Sequence, residues 1–302
     1  MSTVYQVQKK YRKIKEKLIE LFLFLCALSS ILVTFAIVYT LVTEAIPFFQ
    51  IVSLKEFLTE TEWTPLFENP KYGILPLLSG TLTTTFIALS IAIPFGIITS
   101  VYLSEFASSR VREIFKPLLE LLAAVPTVVY GYFAMLFITP ILQKIFPELG
   151  AFNALSAGLV MGVMIIPYVS SLSEDAMRAV PQTLREGSLA LGASKFQTAF
   201  GVVVPSAFSG IASAFVLAVS RAIGETMVVA IAAGLQPRFS FNPMDSTETL
   251  TAYIVQVSLG DLPHGSIGYQ TIYVAGLSLF IFTLMLNLVG QFIRYRLEKK
   301  VK

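Results

Sequence analysis

The chain has 302 residues, 55% hydrophobic and only 14% charged, with a mean hydropathy of +0.74 and a formal net charge of +3. Soluble domains carry about 25% charged residues, so this composition excludes an ordinary globular protein and reads as a chain crossing a membrane several times. Cys26 is the single cysteine and His264 the single histidine, which excludes a disulfide framework and a thiolate or imidazole metal cluster; a lone loop histidine is expected to be solvated.

Residues 1–17 are polar and basic, with Lys9, Lys10, Arg12, Lys13, Lys15 and Lys17. Leu21–Val42 follows without a charge. A secretory signal has a shorter apolar core and a small-residue cleavage site, so this stretch reads as a retained first span. Glu44–Lys71 is acidic, and its Ile46-Pro47-Phe48-Phe49 run and Trp63 predict an interfacial segment on the far side of the membrane. A second span runs from about Ile74 to Leu103. Its Thr81, Thr83, Thr84 and Thr85 suit either a pore lining or helix packing, where hydroxyl residues are common.

A basic turn with Arg110, Arg112 and Lys116 leads to a third span, Pro117–Thr139, which Pro126 is expected to kink. Glu120, near the start of that span, is expected in the interface. A fourth span covers about Phe152–Leu172, and a polar loop occupies Ser173–Val204.

The fifth apolar stretch, Ser206–Gly234, is 29 residues long, enough to cross the ~30 Å hydrocarbon core. It carries Arg221 and Glu225 near its middle. A charge at that depth costs on the order of 3 kcal/mol, so it must face protein or water. As one helix, Ser206, Ser209, Gly210, Ser213, Ser220, Arg221, Gly224 and Glu225 share a face. Phe208, Ile211, Phe215, Val219 and Ile223 share the other, a lipid or packing face. Two readings follow for the charges. At i and i+4 they can form an internal ion pair, or they can line a pathway; intramembrane ionisable residues favour the second. An outer loop (Leu235–Ser266) and a sixth span (Ile267–Ile293) complete the core, and Arg294, Arg296, Lys299, Lys300 and Lys302 form the tail.

Six spans put both termini on one side. Of the 22 lysines and arginines, 17 fall in the two tails and in the connections after spans two and four. The positive-inside rule then predicts cytoplasmic termini. No Gly-x4-Gly-Lys-Ser/Thr loop occurs, so the chain is not expected to hydrolyse ATP, and no set of residues for an enzyme, cofactor or metal is present.

In the loop, Pro181 suits the first position of a helix, with Thr183–Glu186 as an alternative capping-box start. Gly192 suits a helix stop, and Ser194-Lys195-Phe196-Gln197 has the spacing of a further capping box. Pro205 is expected to break the chain before the fifth span. Two short helices joined at a glycine turn make either a docking element or an ordinary interfacial hairpin.

Glu186-Gly187-Ser188, Gly192 and Val202-x-Val204-Pro205 resemble the EAA loop of ABC importer permeases in complete spacing, with Gly-Ser in place of Ala-Ala. The resemblance implies an all-α, six-span type I importer permease fold (MetI-like). It divides the chain into residues 1–71, comprising tail, first helix and outer segment, and a five-helix core, 72–302, with the coupling loop at about 181–205. It further implies that Glu186, Gly192, Ser194, Lys195, Phe196 and Pro205 couple to an ATPase.

Arg221-Ala222-Ile223-Gly224-Glu225-Thr226-Met227 and the Pro126–Gly131 run PTVVYG are similar to phosphate-specific permeases, most closely the C-type (PstC) subunit. Sulfate and molybdate permeases typically follow Arg-x-x-Gly-Glu with Phe-Gly. What this implies is a multi-pass inner-membrane subunit working with an A-type permease (PstA), an ATPase dimer (PstB) and an external phosphate-binding protein (PstS). Inorganic phosphate and membrane lipid are its other partners, with no nucleic acid. Arg221 and Glu225, with Ser220, Thr81 and Thr127, would line the pathway. Another oxyanion, or an ion-coupled secondary transporter, is the alternative.

Overall fold

A computed structural model describes the backbone of residues 2–263 and 265–301; His264 lies outside the described residues, as do the side chains of Lys9, Lys10, Arg12, Arg294, Lys299, Lys300 and Lys302. The described chain is all-helical apart from two isolated bridges, Trp63 with Tyr72 and Gly234 with Thr247. The long helices are α1 (Ser2–Ile51), α3 (Leu75–Phe106), α5 (Thr127–Ile145), α6 (Ala154–Arg178) and α12 (Ile267–Val301). Each holds a stretch long and apolar enough to cross a membrane, and the bent pair α8 (Lys195–Ser206) and α9 (Phe208–Ile223) supplies the sixth. Shorter helices are α2 (Leu54–Thr59), α4 (Ser109–Ala124), α7 (Gln182–Ala190), α10 (Met227–Ala232) and α11 (Leu250–Ser258).

The centre is a parallel pair, α3 and α6. A Cβ on Gly158 would stand 2.7 Å from Ile87, and one on Gly162 would stand 2.8 Å from the Ala88 carbonyl. Only glycine lets the two backbones approach this closely. Ala88, Ala92, Met161, Met164 and Ile165 of this pair pack with Ala218 and Ala222 of α9 and Val228 and Val229 of α10. In α9 the buried stripe is Ile211, Ala214, Ala218 and Ala222. Alanine minimises the separation from α6, and Ser209, Ser213 and Ser220 of the expected lining face sit half-buried beside it, with Ser206 exposed before the bend.

Four expectations are corrected. The fifth span is not one helix: it bends by 69° at Ala207 and stops again at Gly224. The bend falls after Pro205, which sits inside the last turn of α8. The third span is Thr127–Ile145 rather than Pro117–Thr139. Pro126 separates it from α4, whose apolar Ile114, Phe115, Leu118 and Leu121 are exposed; Glu120 is exposed on α4. A proline N-cap cannot extend a helix backward without breaking its ladder.

The acidic segment after Glu44 is not interfacial at its aromatics. Helix α1 runs through Pro47 to Ile51, and Phe48 and Trp63 are fully buried. They close an edge-to-face cluster in which Phe48 meets Tyr72 and Trp63 meets Tyr253, each at 5.2 Å between ring centres, a geometry that adds to the gain from burial. Finally, the connection Leu235–Ser266 is not a simple loop. It carries α11, whose Leu250, Thr251, Ala252 and Tyr253 are buried among α3, α10 and α12.

Candidate functional site: a charged break and a hairpin

Helix α9 ends at Ile223, capped by Gly224, and α10 starts at Met227, so the two charges stand at a helix break. Arg221 closes the last turn of α9, where a cation meets the negative end of the helix dipole. Glu225 sits just ahead of α10, and its Oε1 accepts the Val228 N–H at 3.3 Å. One carboxylate thus caps the new helix from its first turn. Its other oxygen stands 2.9 Å from Arg221 Nη1, an ionic contact rather than an aligned hydrogen bond. Glu225 is 2% exposed and Arg221 33%. The pair is therefore lopsided: the anion is inside, and the guanidinium opens outward with donors to spare. The Tyr168 ring lies 5.9 Å from the Arg221 Cζ.

The other sequence candidates separate. Ser220 brings its hydroxyl within 3.0 Å of the Val216 carbonyl and of Asn287 Oδ1 on α12. Thr127 opens α5, one turn before Gly131, where a Cβ would lie against Ile231 and the Met227 carbonyl at the start of α10. Thr81 turns away to α11. It donates to the Leu77 carbonyl at 2.7 Å and accepts the Leu250 N–H at 3.2 Å.

At the opposite pole from α11, the hairpin folds as its local sequence dictates. Pro181 takes the N-cap position rather than the first helical one, and Gln182 opens α7, so the Thr183–Glu186 start is unused. Gly192 adopts φ +89°, the left-handed turn that glycine alone enters freely. Ser194 and Gln197 form a reciprocal capping box at the start of α8. The tip exposes Leu191 at 91% and Phe196 at 63%, and Phe196 packs on Phe200 with ring centres 4.6 Å apart. Glu186 and Lys195 are also exposed, flanking the turn.

The residue that holds this hairpin was missed in the sequence. Arg185 pairs in two-pronged fashion with Glu105 (Nη2–Oε1 3.0 Å, Nε–Oε2 3.2 Å) and donates to the Met177 and Val180 carbonyls. Glu105 lies in a π-helical turn at the end of α3. Ser188 and Thr198 bridge α7 to α8 at 2.9 Å. Beside it, Arg112 and Lys116 of α4 reach the fully buried Glu174, and Lys116 also meets Asp175 at 2.9 Å. That contact holds the Lys116 ammonium above its usual range. The partners of each ion pair lie far apart in the chain, and no spacing rule joins them.

An all-helical membrane chain with an exposed hairpin between its fourth and fifth spans, and an ion pair at a broken span, has the architecture of a transporter permease subunit. Residues 92–302 match the profile of the binding-protein-dependent transport system inner membrane components, and the chain belongs to that family. It is 35% identical over 274 residues to a probable ABC transporter permease protein, YqgH, of Bacillus subtilis, covering 90% of this chain and 88% of that one. It is 30% identical to the phosphate transport system permease protein PstC of Xylella fastidiosa, covering 81% and 80% of the two chains. For PstC 1 of Mycobacterium tuberculosis the identity is 33%, covering 78% and 80%. Among solved structures, an inward-facing MetNI methionine ABC transporter chain aligns with TM-score 0.54 at 18% identity, over 74% of this chain and 94% of that one. This likeness supports the type I permease fold.

Proposed function

We propose that the chain is a permease subunit of an ATP-driven phosphate importer, of the C type. It would pair with an A-type permease, an ATPase dimer and an external phosphate-binding protein. The observation that carries this reading is the lopsided Arg221–Glu225 pair at the break of the fifth span. It stands in a chain whose relatives include phosphate permeases along about four-fifths of their length. A guanidinium pairs two phosphate oxygens through its planar fork. With Glu225 holding one edge, Arg221 keeps the rest of its fork for an anion at the open side. Glu225 orients and caps; Ser220 and Thr127 border the break; Thr81 supports it from behind through α11.

Glu186, Gly192, Ser194, Lys195, Phe196 and Pro205 belong to the hairpin that docks on the ATPase, which performs the hydrolysis this chain has no motif for. Its exposed Leu191 and Phe196 are the apolar anchors such a groove receives. With the hairpin in the cytoplasm, both termini lie there too, in keeping with the distribution of lysines and arginines. Residues 72–302 are the permease core, and residues 1–71 add the first helix and an outer segment.

The test is phosphate uptake by vesicles holding the assembled complex. Arg221→Ala alone strands a buried charge at about 3–5 kcal/mol and damages any kind of site. Arg221→Ala with Glu225→Ala removes both charges and is expected to assemble yet carry no phosphate. Near-normal uptake by that double variant would reduce the pair to scaffolding. Accumulation of sulfate or molybdate in place of phosphate by the unaltered complex would refute the substrate.

A further inference from the structure

The connection between α10 and α12 does more than close the far side. Helix α11 enters the bundle and is anchored on three elements. Its Leu250 N–H bonds Thr81 of α3, its Tyr253 hydroxyl meets Thr271 of α12 at 2.6 Å, and the Tyr253 ring takes the edge of Trp63. Thr249 caps it by accepting the Ala252 N–H at 3.2 Å. With α11 fixed in this way, the Thr251 hydroxyl points at the break. It donates to the Glu225 carbonyl at 2.7 Å and is backed by Thr249 Oγ1 at 3.0 Å.

Glu225 belongs to neither helix: α9 has ended at Ile223 and α10 has not begun. A carbonyl at such a break lies outside both helices and needs an acceptor's partner from elsewhere when it is buried. Thr251 supplies it. The same residue's carboxylate caps α10 and meets Arg221, so the hydroxyl that pins the Glu225 backbone also sets where its carboxylate and the guanidinium stand.

We infer that Thr251 is a positioning residue for the anion site: through Glu225 it fixes the direction in which Arg221 opens. The far-side connection is thereby a lever on the charged break. Whatever shifts α11 at the outer face shifts Glu225 with it. This rests on the reading of Arg221 as the anion-binding group, whereas the contact itself does not, and the experiment separates the two.

Thr251→Val keeps the shape and removes the hydroxyl; Thr251→Ser keeps the hydroxyl. In the purified complex, hydrogen exchange at the backbone amides of 225–229 is expected to rise about tenfold in Thr251→Val, the loss one buried hydrogen bond carries. Protection of α11 itself should hold, because its three anchors remain. Inorganic phosphate and sulfate are the two probes; uptake of the one that the unaltered complex accumulates should fall about tenfold in Thr251→Val and return in Thr251→Ser. Unchanged exchange at 225–229, or loss of protection throughout α11, overturns the inference. If exchange rises and uptake stays normal, the contact stands and its role in the anion site falls. Should Thr251→Val not assemble, Thr251→Ser decides: wild-type exchange and uptake support the hydroxyl, and a loss there as well overturns it.

Discussion

The two connections flanking the fifth span are built in opposite ways. The hairpin, residues 179–206, carries an exposed apolar pair at its tip, Leu191 almost fully exposed and Phe196 largely so, while Val180, Ala199 and Val203 are buried at its base. Its base is held by Arg185 on Glu105 and by Val180 and Val203 packed against Val101 and Met177. The far-side connection, residues 233–266, sends one helix into the bundle: Leu250, Ala252 and Tyr253 are buried there with the polar Thr247, Glu248, Thr249 and Thr251, while Phe239, Phe241 and Leu259 stay exposed on its loops. The difference lies in where each connection puts its helix: α11 is absorbed into the core, whereas the hairpin holds Leu191 and Phe196 out at a turn. One end of the molecule thus offers an exposed apolar tip, and the other sets a buried helix against the charged break.

The sharpest way to break this contrast is to release the hairpin. Arg185 and Glu105 are 13% and 10% exposed, so removing one strands the other at about 3–5 kcal/mol. Glu105→Ala is expected to abolish co-purification of the ATPase while the chain still inserts. The exchange Glu105→Arg with Arg185→Glu should recover part of it. Full ATPase recovery with Glu105→Ala would show that the hairpin keeps its pose without this anchor.

The far-side connection is tested through pH. Glu248 is 1% exposed, its Oε1 has no hydrogen-bond partner, and desolvation raises its carboxyl from 4.5 to about 8. An unfolded chain releases this proton near 4.5 and the folded one near 8, so the folded state holds more protons in between. Its contribution to stability is complete below pH 4.5, falls as pH rises, and levels off above about 8. The slope is at most about 1.4 kcal/mol per pH unit. Glu248→Gln should flatten it and unfold at a higher temperature than the unaltered protein above that window. Equal slopes in the two proteins, measured by thermal unfolding of the purified complex, would place the titration on another group.

Smaller effects lie at the hairpin tip. At Gly192 a Cβ meets nothing within 4 Å, but φ is +89°, so Gly192→Val strains the turn by about 1–2 kcal/mol without a clash. The chain should still insert and unfold only a few degrees lower, with phosphate-dependent ATP hydrolysis lost; retained coupling in vesicles would clear the turn of this role. Leu191→Ser should change stability by less than about 0.5 kcal/mol and weaken ATPase binding about tenfold. A thermal shift without a binding defect would mean that the tip packs within the chain.

How much of this was legible follows the range of the forces. The membrane class, the order of the spans, the Gly192 turn and the Ser194–Gln197 box rest on neighbours within a few residues, and each is present in the structure. The arginine–glutamate pair also has a local signature, four residues apart, and the two do meet. The anchor of the hairpin was invisible, because Glu105 and Arg185 are 80 residues apart in the chain.

By itself the sequence determined that apolar stretches cross a membrane, and that two charges sit inside one of them, since hydropathy and helical spacing are sums over adjacent residues. Only the tertiary structure decided that the fifth span breaks there. One glycine at position 224 costs a helix about 1 kcal/mol against alanine, too little to stop it unaided. The break holds because groups from elsewhere satisfy what a continuous helix would have satisfied internally. The Glu225 carboxylate takes the Val228 N–H, and the Thr251 hydroxyl, 26 residues on, takes the Glu225 carbonyl.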